Sequence, residues 1–259
     1  MSTIRKIKRY GWKPSPPDPR DFKLKHTARQ LMRAFPKVFS LREKMPPIYN
    51  QGNLGSCTAQ AVCALFHFRE LNDDNLKRLI VPSRLFEYYC TRSLTGEQRV
   101  DSGATIRDAV KAAVQFGICR EETYPYTPAK FASKPPKNAY AEAVKYQVIS
   151  YARINQAIED IKSCIFDGNP VAFGASIFSS FESNAVAKTG AVPMPKPSDS
   201  VLGGHALVLE GWSDTRGAFE VRNSWGASWA DKGICYFPYQ YVTSSSLCDD
   251  FWCITQIEP

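Results

Sequence analysis

The sequence has no apolar run near the roughly 20 residues that a membrane-spanning helix needs. It has three histidines, and its eight cysteines form no C-x-x-C motif, which argues against a zinc ribbon or a thioredoxin-type redox site. No apolar segment follows the basic N-terminal residues, so we expect no secretory signal. What remains is an ordinary globular composition, with 44% hydrophobic and 22% charged residues.

Positive charge is concentrated at the N-terminus. Residues 1–46 carry 13 Lys and Arg against 3 Asp and Glu, whereas the rest of the chain is slightly acidic. A basic arm can bind nucleic acid or an anionic membrane, but it can also be solvated or pack against its own acidic body, and we favour a solvated or self-packed arm. The stretch WKPSPPDPRDF has four prolines, which disfavour a helix. We therefore separate a basic, proline-rich arm (1–37) from a globular domain (38–259).

The globular domain changes character at about residue 137. Helical spacing of apolar residues predicts helices at 57–71, 83–94 and 105–117, with a later one at 155–167 and a short one in the arm at 27–35. Short β-rich runs bounded by turn residues predict strands at 145–152, 169–177, 205–213, 218–224 and 234–239. This order predicts an α+β protein with a mainly helical lobe (38–137) and a mainly β lobe (138–259).

Cys57 stands where a tight turn meets an apolar helix, in QGNLGSCTAQAVCALF. The free N–H groups and the dipole at a helix N-terminus stabilise a thiolate, which is the nucleophilic form of cysteine. A structural cysteine more naturally lies inside a helix, as we expect for Cys63. Position alone leaves Cys57 open as either a nucleophile or a core residue.

A nucleophilic thiol needs a base, and His205 is the best candidate. It heads an apolar strand behind Gly203 and Gly204, which leave room for a close approach to the backbone. The other two histidines are more typical of surface or packing positions. Asn223 ends another apolar strand and can orient the imidazole if the two strands pair.

Three segments, QGNLGSC, GGHALVLEGW and RNSWGASW, resemble the active-site segments of papain-like cysteine peptidases and occur in the same order. GICREETYPYT and GNPVAFGAS resemble further segments of the family, so the similarity covers about residues 38–259. The resemblance implies a papain-like two-lobe α+β fold. In that fold the active-site cleft lies between a helical N-terminal lobe and an antiparallel β-rich C-terminal lobe.

The resemblance also implies roles for five residues. Cys57 is the expected nucleophile and His205 its base, held as a thiolate–imidazolium pair. Asn223 orients His205, and Trp225 shields that hydrogen bond from water. The side-chain amide of Gln51 and the backbone N–H of Cys57 form the expected oxyanion hole.

Residues that contact a substrate follow from the same resemblance. Gly103 and Ala104 are expected to pair with substrate backbone. The main specificity pocket is expected to include Thr105, Ile106, Gly174, Gly203 and the adjoining Gly204, with Trp225 at the edge of the cleft. Small residues imply room for a large apolar side chain just upstream of the cut, although these glycines can also serve turns alone.

The sequence departs from the family pattern in places. Leu54 replaces a usual cysteine, and the partner cysteine would fall near Asp101, so that disulfide is absent. The absence favours a cytoplasmic or otherwise reducing compartment, with export by another route left open. Thr58 replaces an aromatic residue after the nucleophile, and Ala230 replaces a glycine. No catalytic group is lost.

The activity that these residues predict is a cysteine endopeptidase that acts on peptide or protein substrates through a thioester at Cys57. The alternatives are a catalytically silent peptide-binding relative and an acyltransferase with the same Cys–His chemistry. We expect no cofactor, no metal ion and a monomer.

The arm is too short and proline-rich for the long helical propeptide of secreted family members. With the following FSLREKMPPIYNQG, it resembles compact, xylellain-like papain-family peptidases. We therefore expect residues 1–37 to cover or border the active site and to restrain it, as in a zymogen.

Overall fold

The structure is a computed structural model that describes residues 10–73 and 79–258. The most basic part of the arm, before Tyr10, lies outside the described residues. The helices are α1 (Ala28–Leu31), α2 (Cys57–Asn72), α3 (Arg84–Ser93), α4 (Ile106–Gln115), α5 (Lys137–Ala143), α6 (Ile158–Phe166), α7 (Asn184–Thr189) and α8 (Tyr239–Val242). The strands are β1 (Val38–Ser40), β2 (Val148–Arg153), β3 (Val171–Phe178), β4 (Val201–Ser213), β5 (Ala218–Arg222), β6 (Ile234–Pro238) and β7 (Cys248–Ile257).

Helices α2, α3 and α4 form the helical lobe, as predicted. Ser83 caps α3 and Thr105 caps α4, because each side chain accepts a hydrogen bond from a backbone N–H of the first turn. Helix α2 is buried along almost its whole length and packs against β4 and β7 as well as against α3 and α4. It therefore carries its first residue, Cys57, to the sheet.

The β lobe is a seven-stranded antiparallel sheet in the order β2-β7-β3-β4-β5-β6, with β1 paired to β4. The predicted α+β, two-lobe architecture is confirmed. Sequence patterning misses the short elements β1, α5, α7 and α8 and the long strand β7, which lies between β2 and β3. Two adjacent acidic residues and the positive φ of Asp250 (66°) interrupt the strand pattern of β7.

Asp101 ties the turn before α2 to the helical lobe, close to the position where the resemblance places a disulfide. Its carboxylate accepts hydrogen bonds from the backbone N–H of Gly55 (3.1 Å) and from the Tyr88 hydroxyl (2.6 Å). The same hydroxyl accepts the N–H of Gly103 (3.1 Å). A polar link thus connects the two segments without a covalent bond.

The described part of the arm packs against the body of its own chain. Asp21 forms an ion pair with the largely buried Arg107, Arg33 pairs with Asp167, and His26 contacts Asp160. Helix α1 is shorter than predicted, because the chain extends so that Pro36 accepts a hydrogen bond from the Trp212 indole (3.0 Å). In residues 10–73 and 79–258, no helix combines the length and hydrophobicity needed to span a bilayer.

Candidate active site

Cys57 is the first residue of α2 and is fully buried. The turn before it uses Gly52 at a φ of 65°, a conformation that glycine adopts at little cost. Backbone groups of Ala206, in β4, and of Gly11, in the arm, hydrogen-bond the sulfur. The thiol therefore lies where three parts of the chain meet: the N-terminus of α2, strand β4 just after His205, and the arm.

His205 and Asn223 are brought together by neighbouring strands. Nε2 of His205 lies 2.8 Å from Oδ1 of Asn223, which also accepts the backbone N–H of Ser224 (2.7 Å). Because that N–H can only donate, the shared Asn223 atom is an oxygen, and Nε2 of His205 is the donor. The lone pair of the neutral imidazole is then on Nδ1, which is buried and has no hydrogen-bond partner among the described residues.

Trp225 covers this pair. Its side chain is 2% exposed, and its ring centroid lies 5.4 Å from that of His205. An indole ring in this position keeps water from the hydrogen bond between His205 and Asn223.

Gln51 is buried beside the turn that leads to Cys57. Its Nε2 donates to the Leu54 carbonyl (2.9 Å), and its Oε1 accepts from the Ser224 hydroxyl (2.6 Å). These two bonds fix the orientation of the amide. An amide nitrogen carries two hydrogens, so one N–H of Gln51 remains for another acceptor.

Burial controls the protonation of the thiol and the imidazole. It raises the pKa of Cys57 to about 11, and hydrogen bonds from the backbone of Ala206 and Gly11 oppose the shift only in part. It lowers the pKa of His205 to about 4, against the opposing hydrogen bond of Asn223. With the cleft covered, both groups are neutral at pH 7. The thiolate–imidazolium pair expected from the resemblance is not the favoured state of this closed form.

The arm covers the cleft by pairing with both of its walls. The Ala104 N–H donates to the Gly11 carbonyl (2.8 Å), and the Lys13 N–H donates to the Ala104 carbonyl (2.9 Å). On the opposite wall, the Trp12 N–H donates to the Gly204 carbonyl (2.8 Å). The backbone positions expected to hold a substrate therefore hold residues 11–13 of the same chain.

Three of the expected pocket glycines make room for arm side chains. A methyl group on Gly174 would lie 1.8 Å from the Trp12 ring, and one on Gly204 would lie 2.7 Å from it. A methyl group on Gly203, whose φ is 149°, would lie 2.9 Å from the Tyr10 side chain. These glycines face a filled pocket rather than serving turns alone.

Gly103, Thr105 and Ile106 contribute in other ways. A methyl group on Gly103 would lie 2.1 Å from the Gly11 carbonyl oxygen, so this glycine permits close approach of the arm. The Thr105 hydroxyl caps α4 by accepting the Asp108 N–H (2.9 Å). Ile106 is fully buried, and its backbone N–H points to Asp250 at the base of the pocket (3.4 Å).

Sequence reasoning missed the places of Tyr10, Trp12 and Asp250 in the site. The Tyr10 ring packs edge-on against His205 at 5.5 Å, and its hydroxyl donates to Glu182 (2.5 Å). Asp250 is fully buried and accepts the indole N–H of Trp12 (3.2 Å). One available signal was an acidic pair next to the apolar run FWCI, since a carboxylate in a strand needs a buried donor. Within the described ranges, no group of three or more His, Cys, Asp or Glu side chains could hold a metal ion.

Several known proteins are similar to this chain. The sequence profile of the papain family of cysteine proteases matches residues 35–249. A peptidase C1-like protein of Acanthamoeba polyphaga mimivirus is 37% identical over 99% of this chain and 90% of its own length. Cysteine proteinase 1 of Entamoeba histolytica is 27% identical over 81% of this chain and 65% of its own.

A solved structure has a similar fold along nearly the whole chain. Xylellain, a cysteine protease from Xylella fastidiosa, superposes with a TM-score of 0.90 at 33% identity, over 97% of this chain and 98% of its own. The profile match spans most of the chain, and two relatives above 30% identity cover nearly all of it. The chain belongs to the papain family of cysteine proteases.

Proposed function

We propose that the chain is an endopeptidase in which Cys57 attacks the peptide carbonyl and His205 is the general base. The observation that carries the proposal is the Nε2–Oδ1 hydrogen bond between His205 and Asn223 (2.8 Å), because it leaves the lone pair on Nδ1. Nδ1 takes the thiol proton as sulfur bonds to the carbonyl carbon, and it then gives that proton to the leaving amine. Water, deprotonated by the same nitrogen, hydrolyses the thioester and releases Cys57.

The oxyanion that forms during attack needs donors. The remaining amide N–H of Gln51 and the backbone N–H of Cys57 are the two that we assign to it. The bonds of Gln51 to Leu54 and Ser224 hold the amide in place before the reaction. One such preorganised donor is worth roughly 10²–10³ in rate.

We propose that the arm inhibits this reaction. The leaving amine receives its proton from His205, so the leaving half of a substrate lies towards His205 and Trp225, and the acyl half lies along Ala104. The arm runs from Tyr10, beside His205, to Lys13, beside Ala104. The arm therefore runs through the cleft with its N-to-C direction opposite to that of a substrate. Its peptide bonds are accordingly presented to the Cys57 sulfur in reversed orientation.

The occupied pocket supports a preference for a large side chain upstream of the cut. An indole ring fills the space above Gly174 and Gly204.

Two alternative functions are a silent peptide-binding relative and an acyltransferase. The His205–Asn223 geometry and the fixed Gln51 amide favour an enzyme, and the mass of the product separates hydrolysis from acyl transfer.

We also propose a reducing compartment such as the cytoplasm. All eight cysteines are free thiols, including the buried Cys164 and Cys253. Activity that persists at millimolar reduced glutathione and falls on oxidation is the expected behaviour. Loss of the fold under those reducing conditions would contradict the proposal.

A peptide-library digest tests the activity. The full chain is compared with Cys57→Ala and with Cys90→Ala, which removes another buried thiol in α3. We expect internal cleavage by the wild type and by Cys90→Ala, and none by Cys57→Ala. Equal digestion by Cys57→Ala would disprove the assignment of the nucleophile. Binding of peptides without cleavage by the wild type, also when the arm is displaced by Gly11→Val, would favour the silent relative.

A further inference from the structure

We infer that Asp250 makes the pocket beside Cys57 selective for a large, flat side chain with an N–H donor at its far end, as in tryptophan. The inference rests on the proposed peptidase activity, because it names the substrates of the same cleft. Its basis is the Trp12 side chain, which enters the pocket and ends on the Asp250 carboxylate (3.2 Å).

The pocket receives one defined residue of a substrate. Gly11 contacts the Cys57 sulfur. Trp12, the next residue of the arm, pairs with Ala104, along which the acyl half of a substrate lies. The pocket therefore takes the side chain of the residue that precedes the one whose carbonyl is attacked. Reversal of the chain changes the backbone direction but not the position of this pocket.

The sheet fixes how Asp250 presents its carboxylate. Oδ1 accepts the Trp252 indole N–H (2.8 Å) from the same strand. Oδ2 accepts both arm donors, the Trp12 indole N–H (3.2 Å) and the Ser15 hydroxyl (2.7 Å), and has a longer contact with the Ile106 N–H (3.4 Å). One oxygen is thus committed to the sheet, and the other faces the pocket.

Departure of the arm removes both of those donors from Oδ2 at once. A substrate that fills the pocket with hydrocarbon alone buries Oδ2 with only the longer contact from Ile106. A buried acceptor without a good partner is costly, whereas a side chain that donates to it restores the bond. A site built around such a hydrogen bond discriminates strongly against analogues that lack the donor.

The walls of the pocket set the shape of the side chain. Gly174 and Gly204 have no side chains, so a flat ring lies directly on the backbone of β3 and β4. In the neighbouring Asp249, Oδ1 pairs with Arg153 (2.7 Å). Size and flatness come from the glycines, and the demand for a donor comes from Asp250.

The first experiment compares two fluorogenic peptides that differ only in this upstream residue, which is tryptophan in one and 3-benzothienylalanine in the other. The second side chain has nearly the shape of indole, but sulfur replaces the N–H. The ratio of their kcat/KM values within one variant is independent of how often the arm is open, because that fraction cancels. We expect the full-length wild type to favour the tryptophan peptide about tenfold or more.

Asp250→Asn is the matched variant. Asparagine tolerates the positive φ of 66° at this position. The Trp252 N–H will hold the amide oxygen, so the –NH₂ group, a donor, replaces the acceptor that faces the pocket. We expect the tryptophan preference to fall to about one or to reverse, by the same hydrogen-bond argument. A wild-type ratio near one, or a ratio that Asp250→Asn leaves unchanged, would overturn the inference.

A second measurement does not depend on catalysis. Hydrogen exchange at the amides of residues 12 and 13 reports opening of the arm in Trp12→Phe, Asp250→Asn and the double variant. We expect each single change to speed exchange and the double variant to exchange more slowly than the product of the two single effects, since both changes remove the bond between Trp12 and Asp250. Effects that multiply would refute the pairing. If no peptide is cleaved at all, the proposed function fails, while the exchange data still decide the chemistry of the pocket.

Discussion

The backbone N–H of Trp12 donates a 2.8 Å hydrogen bond to the carbonyl of Gly204, the residue immediately before His205. The contact places the arm on the same strand that carries the proposed base. A substrate that runs along Ala104 into the same pocket cannot use this carbonyl while Trp12 holds it. Inhibition in this account is direct competition for backbone partners, and it needs no distortion of the catalytic residues.

Gly11→Val should open the cleft. A Cβ at this position would lie 1.8 Å from the Gly55 carbonyl oxygen, a separation that no side chain can adopt, so the arm must move. If the open form is a small fraction of the wild type, peptide hydrolysis should rise about tenfold or more, because apparent activity scales with that fraction. Lys25→Ala, an exposed change in the same arm, is the control and should leave the rate unchanged. An unaltered rate in Gly11→Val would remove the inhibitory role of the arm.

The pH dependence of Cys57 alkylation should change when the arm is displaced. In the closed form, burial raises the thiol pKa to about 11, so reaction with iodoacetamide at Cys57 should be slow at pH 7 and climb towards pH 11. Displacing the arm in Gly11→Val exposes the sulfur to water and removes part of that penalty, so the midpoint should move to lower pH. Rates can be followed by mass spectrometry of the peptide that contains Cys57. Identical profiles for the two proteins would be inconsistent with burial as the cause.

Asn223→Ala should lower kcat more than it changes KM. The variant removes the acceptor that fixes Nε2 of His205 as a donor, so the imidazole can rotate or adopt the other tautomer. We expect a loss of roughly 10²-fold in kcat, the lower end of what a positioned general base supplies. Asn155→Ala, at an exposed site away from the cleft, is the control. A loss confined to KM would assign Asn223 to substrate binding.

Glu87 should make the protein less stable as the pH rises. It is fully buried in α3, Oε2 has no hydrogen-bond partner among the described residues, and burial raises its pKa to about 8. Because the folded pKa lies above the unfolded value near 4.5, the folded state holds the proton more tightly. The contribution of Glu87 to stability is therefore greatest below pH 4.5 and is lost between about 4.5 and about 8.

Glu87→Gln keeps the shape of the side chain and removes this titration. We expect the variant to be more stable than the wild type at pH 8 by roughly 2–4 kcal/mol, measured by urea unfolding, and the difference to shrink towards pH 5. Glu122→Gln, on the surface, should have little effect at either pH. A difference that does not vary with pH would show that Glu87 is ionised in the fold.

Much of the site was predictable because the signals are local. Cys57 follows a glycine turn and opens an apolar helix, His205 begins the apolar run within β4, and Asn223 directly follows β5, so residue type and position carry the information. Strand β7 was not predictable in the same way. Asp250 is polar in sequence, and only the long-range contacts with Trp12 and Ser15 show why a carboxylate is buried there.

The path of the arm was predictable in outline only. Prolines and charge indicate an extended segment that packs on the body, but the pairing of residues 11–13 with Ala104 and Gly204 depends on a cleft formed by both lobes. The protonation states differ from expectation for the same reason. The arm contributes to the burial of both groups, because Gly11 hydrogen-bonds the Cys57 sulfur and Tyr10 packs on His205, and the sequences around those two residues do not encode these contacts.

The central claim is that Cys57 is the nucleophile, served by His205 and covered by the arm. Mass spectrometry after treatment with a peptidyl vinyl sulfone that carries tryptophan at the upstream position tests it most directly. The account predicts a single adduct on Cys57, formed faster in Gly11→Val than in the wild type and abolished in His205→Ala. Adducts spread over several of the eight cysteines, or labelling of Cys57 that is indifferent to both substitutions, would contradict it.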